Sequence, residues 1–356
     1  MSNRHVRPAI STMAGYTPGF QPPRNQQIIK LNTNENPYPP SPMVAAAIRR
    51  AVESCDRFRL YPDPVSDQLR QTAARVYGLN PEQVLAGNGS DDLLRILLDT
   101  FVDPGESVGF FEPSYSLYPV LTRIRGGLPR AFPLNREKPE QRIDTTGIKL
   151  FYLTTPHAPY GFSFSNGYIK KLADCLDGIL VADEAYVDFA EESALGILAE
   201  CKNLVVTRSF SKSYALAAMR VGLAFAAPEI IVEMDKARDS YNLDLLAQEA
   251  ATAALLDESY LKETVGRVKK VRQEFGHLLA EHGFTVFPSR TNFIFTIPPA
   301  GFKAADLYQF LADHHILVRY FAAPPLDQGI RISIGTTEQM DQVIQTISNF
   351  LVQEGK

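Results

Sequence analysis

A charged side chain follows a strand-like apolar run twice in this sequence, in Val181-Ala-Asp-Glu-Ala-Tyr186 and beyond the run that leads into Thr207-Arg-Ser-Phe-Ser-Lys-Ser213. The charged residues are Asp183 and Lys212, and Arg220 lies a short distance further along. Each run has the length and the apolar, β-branched content of a buried strand. Because the carboxyl ends of parallel strands meet at one edge of a sheet, we expect the three charges to share a crevice there.

Strand and helix patterns alternate on both sides of these segments. Short runs rich in β-branched and aromatic residues predict strands, and longer runs with a helical period predict helices between several of them. The predicted strands lie at residues 83–86, 107–111, 149–154, 178–182, 203–207 and 221–226, and the helices at 91–102, 168–176 and 213–219. This alternation is typical of the α/β class, in which helices cover both faces of a mostly parallel sheet.

The C-terminal third has a different pattern, which predicts a smaller α+β domain. Its elements are predicted at residues 245–282 with a break near Glu258, and at 285–287, 292–297, 304–314, 316–318, 330–334 and 338–352. The first part of the chain is rich in proline and asparagine, which favour turns, so we expect an arm that lies across the molecule. The sequence therefore divides into an arm that joins the small domain (1–40), a large domain (41–250) and a small C-terminal domain (251–356).

Composition argues against several classes of protein. The chain has 356 residues, of which 45% are hydrophobic and 21% charged, and its net charge is −4, as in ordinary globular proteins. Its three scattered cysteines suit a reducing, cytoplasmic compartment rather than a disulfide scaffold. We find no secretory signal, membrane span or basic run for nucleic acid, and therefore expect small-molecule substrates. The six histidines lack the i, i+4 spacing of a helical metal site, so no metal is predicted.

The set of Asp183, Lys212 and Arg220 suits the chemistry of pyridoxal 5'-phosphate. A lysine amine can bond to its aldehyde, a carboxylate can keep its ring nitrogen protonated, and an arginine can clamp its phosphate. Gly87-Asn-Gly-Ser-Asp-Asp92 lies between a predicted strand and helix, where backbone N–H groups can face an anion. The residues alone leave a second interpretation open, in which Asp183 and Lys212 form a structural ion pair, Arg220 lies at the surface and the glycine-rich segment only begins a helix.

An aromatic side chain follows the predicted strand at 107–111. Tyr115, within Glu112-Pro-Ser-Tyr-Ser-Leu-Tyr118, has the shape to stack on a pyridine ring. Spacing alone equally allows a core tyrosine whose hydroxyl is satisfied. The glycine-rich segment lacks the Gly-Lys-Ser/Thr of a nucleoside-triphosphate loop and the third glycine of a dinucleotide motif, so neither of those ligands is predicted.

The order of these motifs, over nearly the whole chain, resembles that of the fold-type I pyridoxal-phosphate aminotransferases. Further segments resemble the histidinol-phosphate aminotransferase family in particular. They are Leu31-Asn-Thr-Asn-Glu-Asn-Pro-Tyr38, Tyr61-Pro-Asp63, Tyr241-Asn-Leu-Asp-Leu-Leu-Ala-Gln248, Thr291-Asn-Phe293 and Arg331-Ile-Ser-Ile-Gly-Thr336. The resemblance implies a large domain with a mostly parallel seven-stranded sheet, and a homodimer with the active site at the subunit interface. It also implies conversion of histidinol phosphate and 2-oxoglutarate to imidazole acetol phosphate and glutamate, in histidine biosynthesis.

The resemblance further implies a set of site residues. It makes Lys212 the lysine that bonds to the cofactor and carries the proton, Asp183 the partner of the ring nitrogen, and Tyr186 a donor to the ring phenolate. The other residues implied for the cofactor are Ser90, Asp91, Tyr115, Ser209, Arg220 and, from the other subunit, Tyr61. Those implied for the substrates are Arg331 and Arg319, which would meet anionic groups, and Tyr16 and Asn34, which would close over the substrate from the arm.

The sequence departs from the family pattern at Ala158. The family usually has Asn-Pro-Asn-Asn-Pro-Thr-Gly where this chain has Thr155-Pro-His-Ala-Pro-Tyr-Gly161, and the replaced asparagine donates to the ring phenolate. An alanine cannot donate, so Tyr186 is left as the main donor, and we expect the pKa of the lysine–cofactor linkage to be raised. His157 either supplies the missing donor or has no chemical role.

Three alternatives remain open at this point. A threonine-phosphate decarboxylase shares the implied fold and a phosphate-ended substrate, and an aromatic or aspartate aminotransferase differs only in the shape of its pocket. A cofactor-binding regulator would need a helix-turn-helix segment ahead of the catalytic region. The proline-rich residues there do not suit one.

Overall fold

The computed structural model describes residues 4–23 and 28–354. Its strands are β1 (Ile29–Lys30), β2 (Val84–Gly87), β3 (Ser107–Glu112), β4 (Leu128–Pro133), β5 (Ile148–Thr154), β6 (Ile179–Asp183), β7 (Leu204–Ser209), β8 (Gly222–Phe225), β9 (Thr285–Val286), β10 (Phe293–Ile297), β11 (Ile316–Leu317), β12 (Arg319–Tyr320) and β13 (Ile330–Ser333). Its α-helices are α1 (Pro8–Ser11), α2 (Pro42–Glu53), α3 (Asp67–Tyr77), α4 (Ser90–Phe101), α5 (Leu117–Arg125), α6 (Asn166–Asp174), α7 (Pro228–Ala237), α8 (Leu245–Leu256), α9 (Glu258–Glu281), α10 (Ala304–Asp313) and α11 (Thr337–Glu354). No helix in the described residues has the length and apolar content needed to cross a bilayer.

A seven-stranded sheet forms the centre of the molecule, with the strand order β2-β8-β7-β6-β5-β3-β4. All neighbouring pairs are parallel except those that β8 makes with β2 and β7, which confirms the predicted α/β class and mostly parallel sheet. Thr154, Asp183 and Thr207 are register partners across β5, β6 and β7. Their side chains therefore reach the same carboxyl edge of the sheet, where open α/β folds bind ligands.

Alternate residues of the central strands supply two separate hydrophobic cores. On β6, Leu180 and Ala182 pack into the core that includes α2, α3 and α8, whereas Val181 packs into the core that includes α4, α5 and α7. This is the pattern expected when both faces of a parallel sheet are covered by helices, because successive side chains point to opposite faces. The strands are consequently buried on both sides and held rigidly beneath the cavity.

A third core joins the C-terminal elements. It contains residues of α9, α10 and α11 packed on an antiparallel sheet with the order β12-β13-β10-β9, and it extends to Tyr186 at the edge of the large sheet. The arm connects to this part of the molecule, since β1 pairs in parallel with β11. Asp257 ends α8 and caps α9 through a bond from Tyr260 N, which places the helix break where the sequence predicts it. The domain boundaries near residues 40 and 250 stay a prediction.

The predicted helix at 213–219 is wrong, because only a 3₁₀ turn at Ala217–Met219 forms there. The carbonyls of Lys212 and Ser213 accept hydrogen bonds from Asn36 Nδ2, at 3.1 and 2.9 Å, instead of from helical amides. Ala215 then takes a positive φ of 56°, which breaks any helix. The segment after Lys212 is shaped by contacts with the arm, which its local sequence does not reveal.

Strand β4 is absent from the sequence prediction because Leu128-Pro-Arg-Ala-Phe-Pro133 contains two prolines. Proline cannot donate to a strand ladder and is tolerated only at a sheet edge. β4 pairs with β3 alone and forms the outer edge of the large sheet, where the missing N–H groups are harmless. The pattern of two prolines thus identifies an edge strand rather than a loop.

We expect Gly222→Ala to destabilise the fold at the carboxyl edge. A Cβ at Gly222 would lie 2.7 Å from the carbonyl carbon of Gly89 and 2.7 Å from Ser90 N, both backbone atoms that cannot rotate away. We predict a loss of roughly 1–3 kcal/mol in the free energy of unfolding, measured by chemical denaturation. The control is Gly266→Ala in α9, where a Cβ meets nothing within 4 Å and should stabilise by about 0.5–1 kcal/mol. Equal stabilities of Gly222→Ala and the unchanged protein would contradict the prediction.

Candidate active site

A cavity of about 250 Å³ lies at the carboxyl edge of the large sheet, between it, the arm and the C-terminal sheet. Twelve of the predicted site residues line it, from every part of the chain. They are Tyr16, Asn34, Ser90, Asp91, Tyr115, Asp183, Tyr186, Ser209, Lys212, Arg220, Arg319 and Arg331. Residues far apart in sequence are therefore brought to one place, as the parallel-strand argument predicts for Asp183, Lys212 and Arg220.

Asp183 ends β6 with only 3% of its surface exposed. Tyr118 Oη donates a 2.6 Å hydrogen bond to Asp183 Oδ2, and Thr207 Oγ1 lies 3.5 Å from Oδ1. Burial raises the pKa of Asp183 to about 6, although the bond from Tyr118 opposes this. Among the described residues Asp183 forms no ion pair, so its charge is free to meet a cation in the cavity.

Tyr118 is a candidate supporting residue of the site that the sequence did not reveal. It is fully buried, stacks on Tyr152 with ring centroids 4.5 Å apart, and also bonds to Thr154 Oγ1 at 2.7 Å. Thr154 in turn bonds to Ser114 Oγ at 3.1 Å. This series of hydrogen bonds orients the carboxylate of Asp183. No sequence signal separates Tyr118 from an ordinary core tyrosine, because its role depends on the strand register.

Lys212 is partly buried at the cavity wall. Its Nζ donates to the carbonyl of Thr33 at 3.1 Å and lies 5.8 Å from the ring centroid of Tyr186. Burial, with the nearby charge of Arg331, lowers the pKa of Lys212 to about 8. A larger share of its amine is therefore neutral and nucleophilic near neutral pH than an exposed lysine would have.

The N-terminus of α4 lies at one end of the cavity and could hold an anion there. Ser90 and Asp91 begin the helix, and Arg220 Nη2 lies 3.6 Å from Asp91 Oδ2 and reaches Ser211 Oγ through Nη1 at 3.1 Å. Arg220 has a positive φ of 53°, and Gly89 has one of 83°, with no room for a Cβ beside the guanidinium. Helix amides, hydroxyls and a guanidinium thus converge as a phosphate requires.

Tyr115 stands beside this end of the cavity. Its hydroxyl donates to Asp91 Oδ1 at 3.1 Å, and its ring meets Tyr16 edge to face with centroids 5.9 Å apart. Tyr16 comes from the arm and is 40% exposed. The arrangement leaves the ring of Tyr115 at the cavity surface with its hydroxyl satisfied.

Asn34 ties the arm to both sheets. Its Nδ2 donates to Tyr186 Oη at 2.9 Å, its Oδ1 accepts from Ser333 Oγ at 2.8 Å, and its carbonyl accepts from Asn292 Nδ2 at 2.9 Å. Its φ of 58° lies in the left-handed region, which asparagine tolerates better than most residues. Asn36, two residues on, holds the backbone after Lys212 and was not assigned a role from the sequence, although it lies within a segment that carries the family resemblance.

A buried ion cluster supports the two strands from behind the cavity. Glu184, next to Asp183, pairs with Arg208 Nε at 3.1 Å, and Arg208 Nη1 lies 3.7 Å from Asp188 Oδ1. Ser213, next to Lys212, donates to Asp188 Oδ2. The residues that follow the acid and the lysine are therefore held by one network. These opposite charges satisfy one another, whereas Asp183 and Lys212 in the cavity form no ion pair among the described residues.

Tyr61 does not line the cavity of its own chain. Its ring stacks on Tyr241 with centroids 4.4 Å apart, and 79% of its surface is exposed. Exposed apolar side chains surround it in sequence, among them Phe58, Leu60 and Val65. A large exposed apolar surface of this kind is typical of a protein interface.

Ala158 lines the cavity, in agreement with its position in the family motif, but His157 does not. The imidazole is 1% exposed, and it stacks on Phe162 with centroids 4.9 Å apart. Neither ring nitrogen has a hydrogen-bond partner among the described residues, and burial lowers the pKa of His157 to about 3. His157 is thus a neutral core residue that cannot reach the position of the missing asparagine.

The described part of the chain contains no group of three or more His, Cys, Asp or Glu side chains arranged to hold a metal ion. The charged groups at the cavity are instead three acids, one amine and three guanidiniums: Glu35, Asp91, Asp183, Lys212, Arg220, Arg319 and Arg331. This set suits an organic ligand with anionic groups.

Comparison with known proteins identifies the family. The family model "Aminotransferase class I and II" matches residues 26–347 of this chain. A histidinol-phosphate aminotransferase from Geobacter sp. (strain M21) is 49% identical to this chain, over 96% of it and 97% of the relative. The chain belongs to the histidinol-phosphate aminotransferases, within this class of enzymes. A relative of the same name from Microcystis aeruginosa is 43% identical over 97% of this chain and 98% of its own.

Solved structures have the same fold. A histidinol-phosphate aminotransferase from Sinorhizobium meliloti in complex with pyridoxal-5'-phosphate superimposes with a TM-score of 0.85, at 28% identity over 98% of this chain and 99% of its own. An L-threonine-O-3-phosphate decarboxylase from Porphyromonas gingivalis has a TM-score of 0.79 at 23% identity, over 91% of this chain and 99% of its own. The second likeness shows the fold alone.

We expect Asp183→Asn to stabilise the cofactor-free protein in a pH-dependent way. Since the pKa of Asp183 is raised from 3.8 to about 6 in the folded chain, the folded state holds, at pH values between these two, a proton that the unfolded state has lost. The stability due to this proton is complete below the unfolded pKa and disappears as pH rises through about 6. The variant should therefore be more stable than the unchanged protein at pH ~8, by on the order of 2 kcal/mol, and by less at pH ~5.

Chemical denaturation at both pH values measures this difference. Asp341→Asn, at an exposed position of α11, is the control and should give the same small change at each pH. A gain for Asp183→Asn that is no larger at the higher pH would show that the buried charge does not destabilise the fold.

Proposed function

We propose that this chain is a pyridoxal-phosphate-dependent enzyme that exchanges the amino group between L-histidinol phosphate and 2-oxoglutarate. The products are imidazole acetol phosphate and glutamate, in a step of histidine biosynthesis. The observation that carries the proposal is one cavity with an unpaired acid, a lysine of lowered pKa and two arginines. Relatives that carry the name of this activity are 43–49% identical over nearly the full length.

The residues present fit pyridoxal phosphate. The buried carboxylate of Asp183 has no cationic partner among the described residues, and a protonated ring nitrogen would supply one. The N-terminus of α4, with Ser90 and Arg220, would hold the phosphate, and the absent Cβ at Gly89 leaves room for the guanidinium. Tyr115 would face the ring, and Lys212 would hold the aldehyde carbon through Nζ.

Bound pyridoxal phosphate supplies a ring that withdraws electrons from the substrate carbon when that carbon loses its proton. Lys212 Nζ would take that proton and return it to the neighbouring position, for which a pKa of about 8 is well matched. Asp183 would keep the ring nitrogen protonated, and its bond from Tyr118 would favour the ionised carboxylate. Tyr186 would donate to the phenolate, as the remaining donor beside Ala158, so the raised pKa of the lysine–cofactor linkage stays a prediction.

The substrates would be held at the arginine end of the cavity. Arg331 Nε has no hydrogen-bond partner among the described residues, and Nη2 donates to the carbonyl of Asn32 at 3.0 Å. Arg331 would grip the carboxylate of glutamate with two parallel N–H bonds, and Arg319 would meet the phosphate or the distal carboxylate. Tyr16 and Asn34 would close the cavity from the arm.

A homodimer and a cytoplasmic location are part of the proposal. Tyr61 lies outside its own cavity on an exposed apolar surface, which supports a second copy that receives it at the cofactor phosphate. All three cysteines are free, which suits a reducing compartment. The threonine-phosphate decarboxylase and the aromatic or aspartate aminotransferase are weaker candidates, since the decarboxylase likeness supports only the fold.

The absorbance spectrum of the cofactor-loaded protein tests the proposal. We expect a band near the edge of the visible range that bleaches with L-glutamate and returns with imidazole acetol phosphate. Borohydride treatment followed by peptide mass spectrometry should fix the cofactor on Lys212, and Lys212→Arg should remain unlabelled because a guanidinium does not bond to the aldehyde. An unlabelled Lys212, or carbon dioxide release from threonine phosphate in place of amino transfer from glutamate, would refute it.

We expect Arg331→Lys to impair the use of glutamate strongly, although the substitution keeps the positive charge. A point-like ammonium cannot form two parallel bonds to one carboxylate, so the substrate carbon is held less well for proton transfer. We predict a loss of roughly tenfold to a hundredfold in kcat/KM for glutamate. Borohydride labelling of Lys212 in the same variant is the control and should be unchanged. A loss below twofold would argue that Arg331 does not bind the carboxylate.

A further inference from the structure

Two like charges face each other at the substrate end of the cavity. Arg319 on β12 and Arg331 on β13 are direct register partners in an antiparallel pair, an arrangement in which like charges destabilise a sheet. Both side chains line the cavity. Among the described residues neither guanidinium forms an ion pair, and burial, together with the nearby charge of Arg319, lowers the pKa of Arg331. Arg331 donates one hydrogen bond, to the carbonyl of Asn32, and no acid holds either guanidinium in the described residues.

Aromatic rings take the place of that carboxylate. The ring of Phe321 lies 5.3 Å from the guanidinium carbon of Arg319 and 5.7 Å from that of Arg331, so one ring serves both. On its other side Arg331 lies 5.2 Å from the ring of Phe293, which meets Tyr186 edge to face at 5.2 Å. We call these five residues the aromatic–arginine row, which runs from Tyr186 through Phe293, Arg331 and Phe321 to Arg319.

A ring positions a guanidinium without neutralising it. The face of an aromatic ring attracts a cation through its quadrupole but carries no net charge, whereas a carboxylate would fix the arginine and also cancel its charge. Arg319 makes no hydrogen bond through its guanidinium within the described part of the chain, so the ring of Phe321 is the contact that orients it. The row therefore leaves two oriented positive charges available to an anionic ligand.

We propose that Phe321 is a positioning residue that sets the preference of the cavity for substrates with a terminal phosphate or second carboxylate. This rests on the proposed function, since it deepens the roles given there to Arg319 and Arg331. Phe321 lines the cavity and is only partly buried, at the margin of a small hydrophobic cluster, so a leucine there keeps part of the apolar packing while it removes the ring. Loss of the ring face frees Arg319 to swing into solvent and weakens binding of the distal anion, whereas Arg331 keeps its hydrogen bond to the carbonyl of Asn32 and its contact with the ring of Phe293.

The test compares Phe321→Leu, which keeps an apolar side chain, with Phe321→Tyr, which keeps the ring face. In the cofactor-loaded protein, the ratio of kcat/KM for L-histidinol phosphate to that for L-histidinol should fall roughly threefold to tenfold in Phe321→Leu, through KM. The ratio should stay within about twofold in Phe321→Tyr, because the cation–ring contact remains. Phe321→Met replaces the leucine variant if thermal denaturation shows that the latter is unfolded.

A binding measurement separates this inference from the proposed function. Calorimetric titration of the same cofactor-loaded variants with inorganic phosphate, at low ionic strength, reports on the two arginines without turnover. Phosphate should bind Phe321→Leu several-fold more weakly than the unchanged protein, and Phe321→Tyr about equally. Equal affinity in the leucine variant, or equal weakening in both variants, overturns the role of Phe321. Failure of amino transfer with normal phosphate binding would instead count against the proposed function alone.

Discussion

The carboxylate of Asp183 is buried at the end of β6 without a cation beside it in the described residues. An ionised acid removed from water costs several kcal/mol unless it is paired, so the surrounding structure must hold this one in place. Tyr118 and Thr207 approach it from neighbouring elements. The pKa of Asp183 is still raised to about 6, because these contacts do not stabilise the ionised carboxylate as well as water would. The uncompensated charge supports the proposed binding site, because a ligand cation beside Asp183 would supply the pairing that the described residues do not.

Charged side chains behind the cavity and those inside it have different kinds of partner. Behind the sheet edge, Arg208 is satisfied by Glu184 and Asp188, and this network holds the backbone next to both Asp183 and Lys212. Inside the cavity, Lys212 donates to a backbone carbonyl, and Arg319 and Arg331 contact aromatic rings, which position a charge but do not cancel it. The paired ions behind the sheet edge therefore hold the backbone in place, whereas Asp183, Lys212, Arg319 and Arg331 form no ion pair among the described residues and stay available to a ligand.

The arm links the parts of the molecule that form the cavity. Asn34 bonds to Tyr186 at the large sheet and to Ser333 at the small one, and Asn36 holds the backbone that follows Lys212. Because these asparagines contact elements that are hundreds of residues away in sequence, the arm is part of the site rather than a covering over it. Removing it would release the lysine segment as well as open the cavity.

The sequence by itself determined the α/β class, the parallel central sheet and the grouping of Asp183, Lys212 and Arg220, because strand periodicity is local and parallel strands end at one edge. Its resemblance to a known family added the arginines and the arm residues. Only the tertiary structure decided that Tyr118 orients the acid and that Phe321 lies between two guanidiniums. It also replaced the helix predicted after Lys212 with an irregular segment. Each of these depends on contacts between distant segments, and no local pattern encodes the register that brings such segments together.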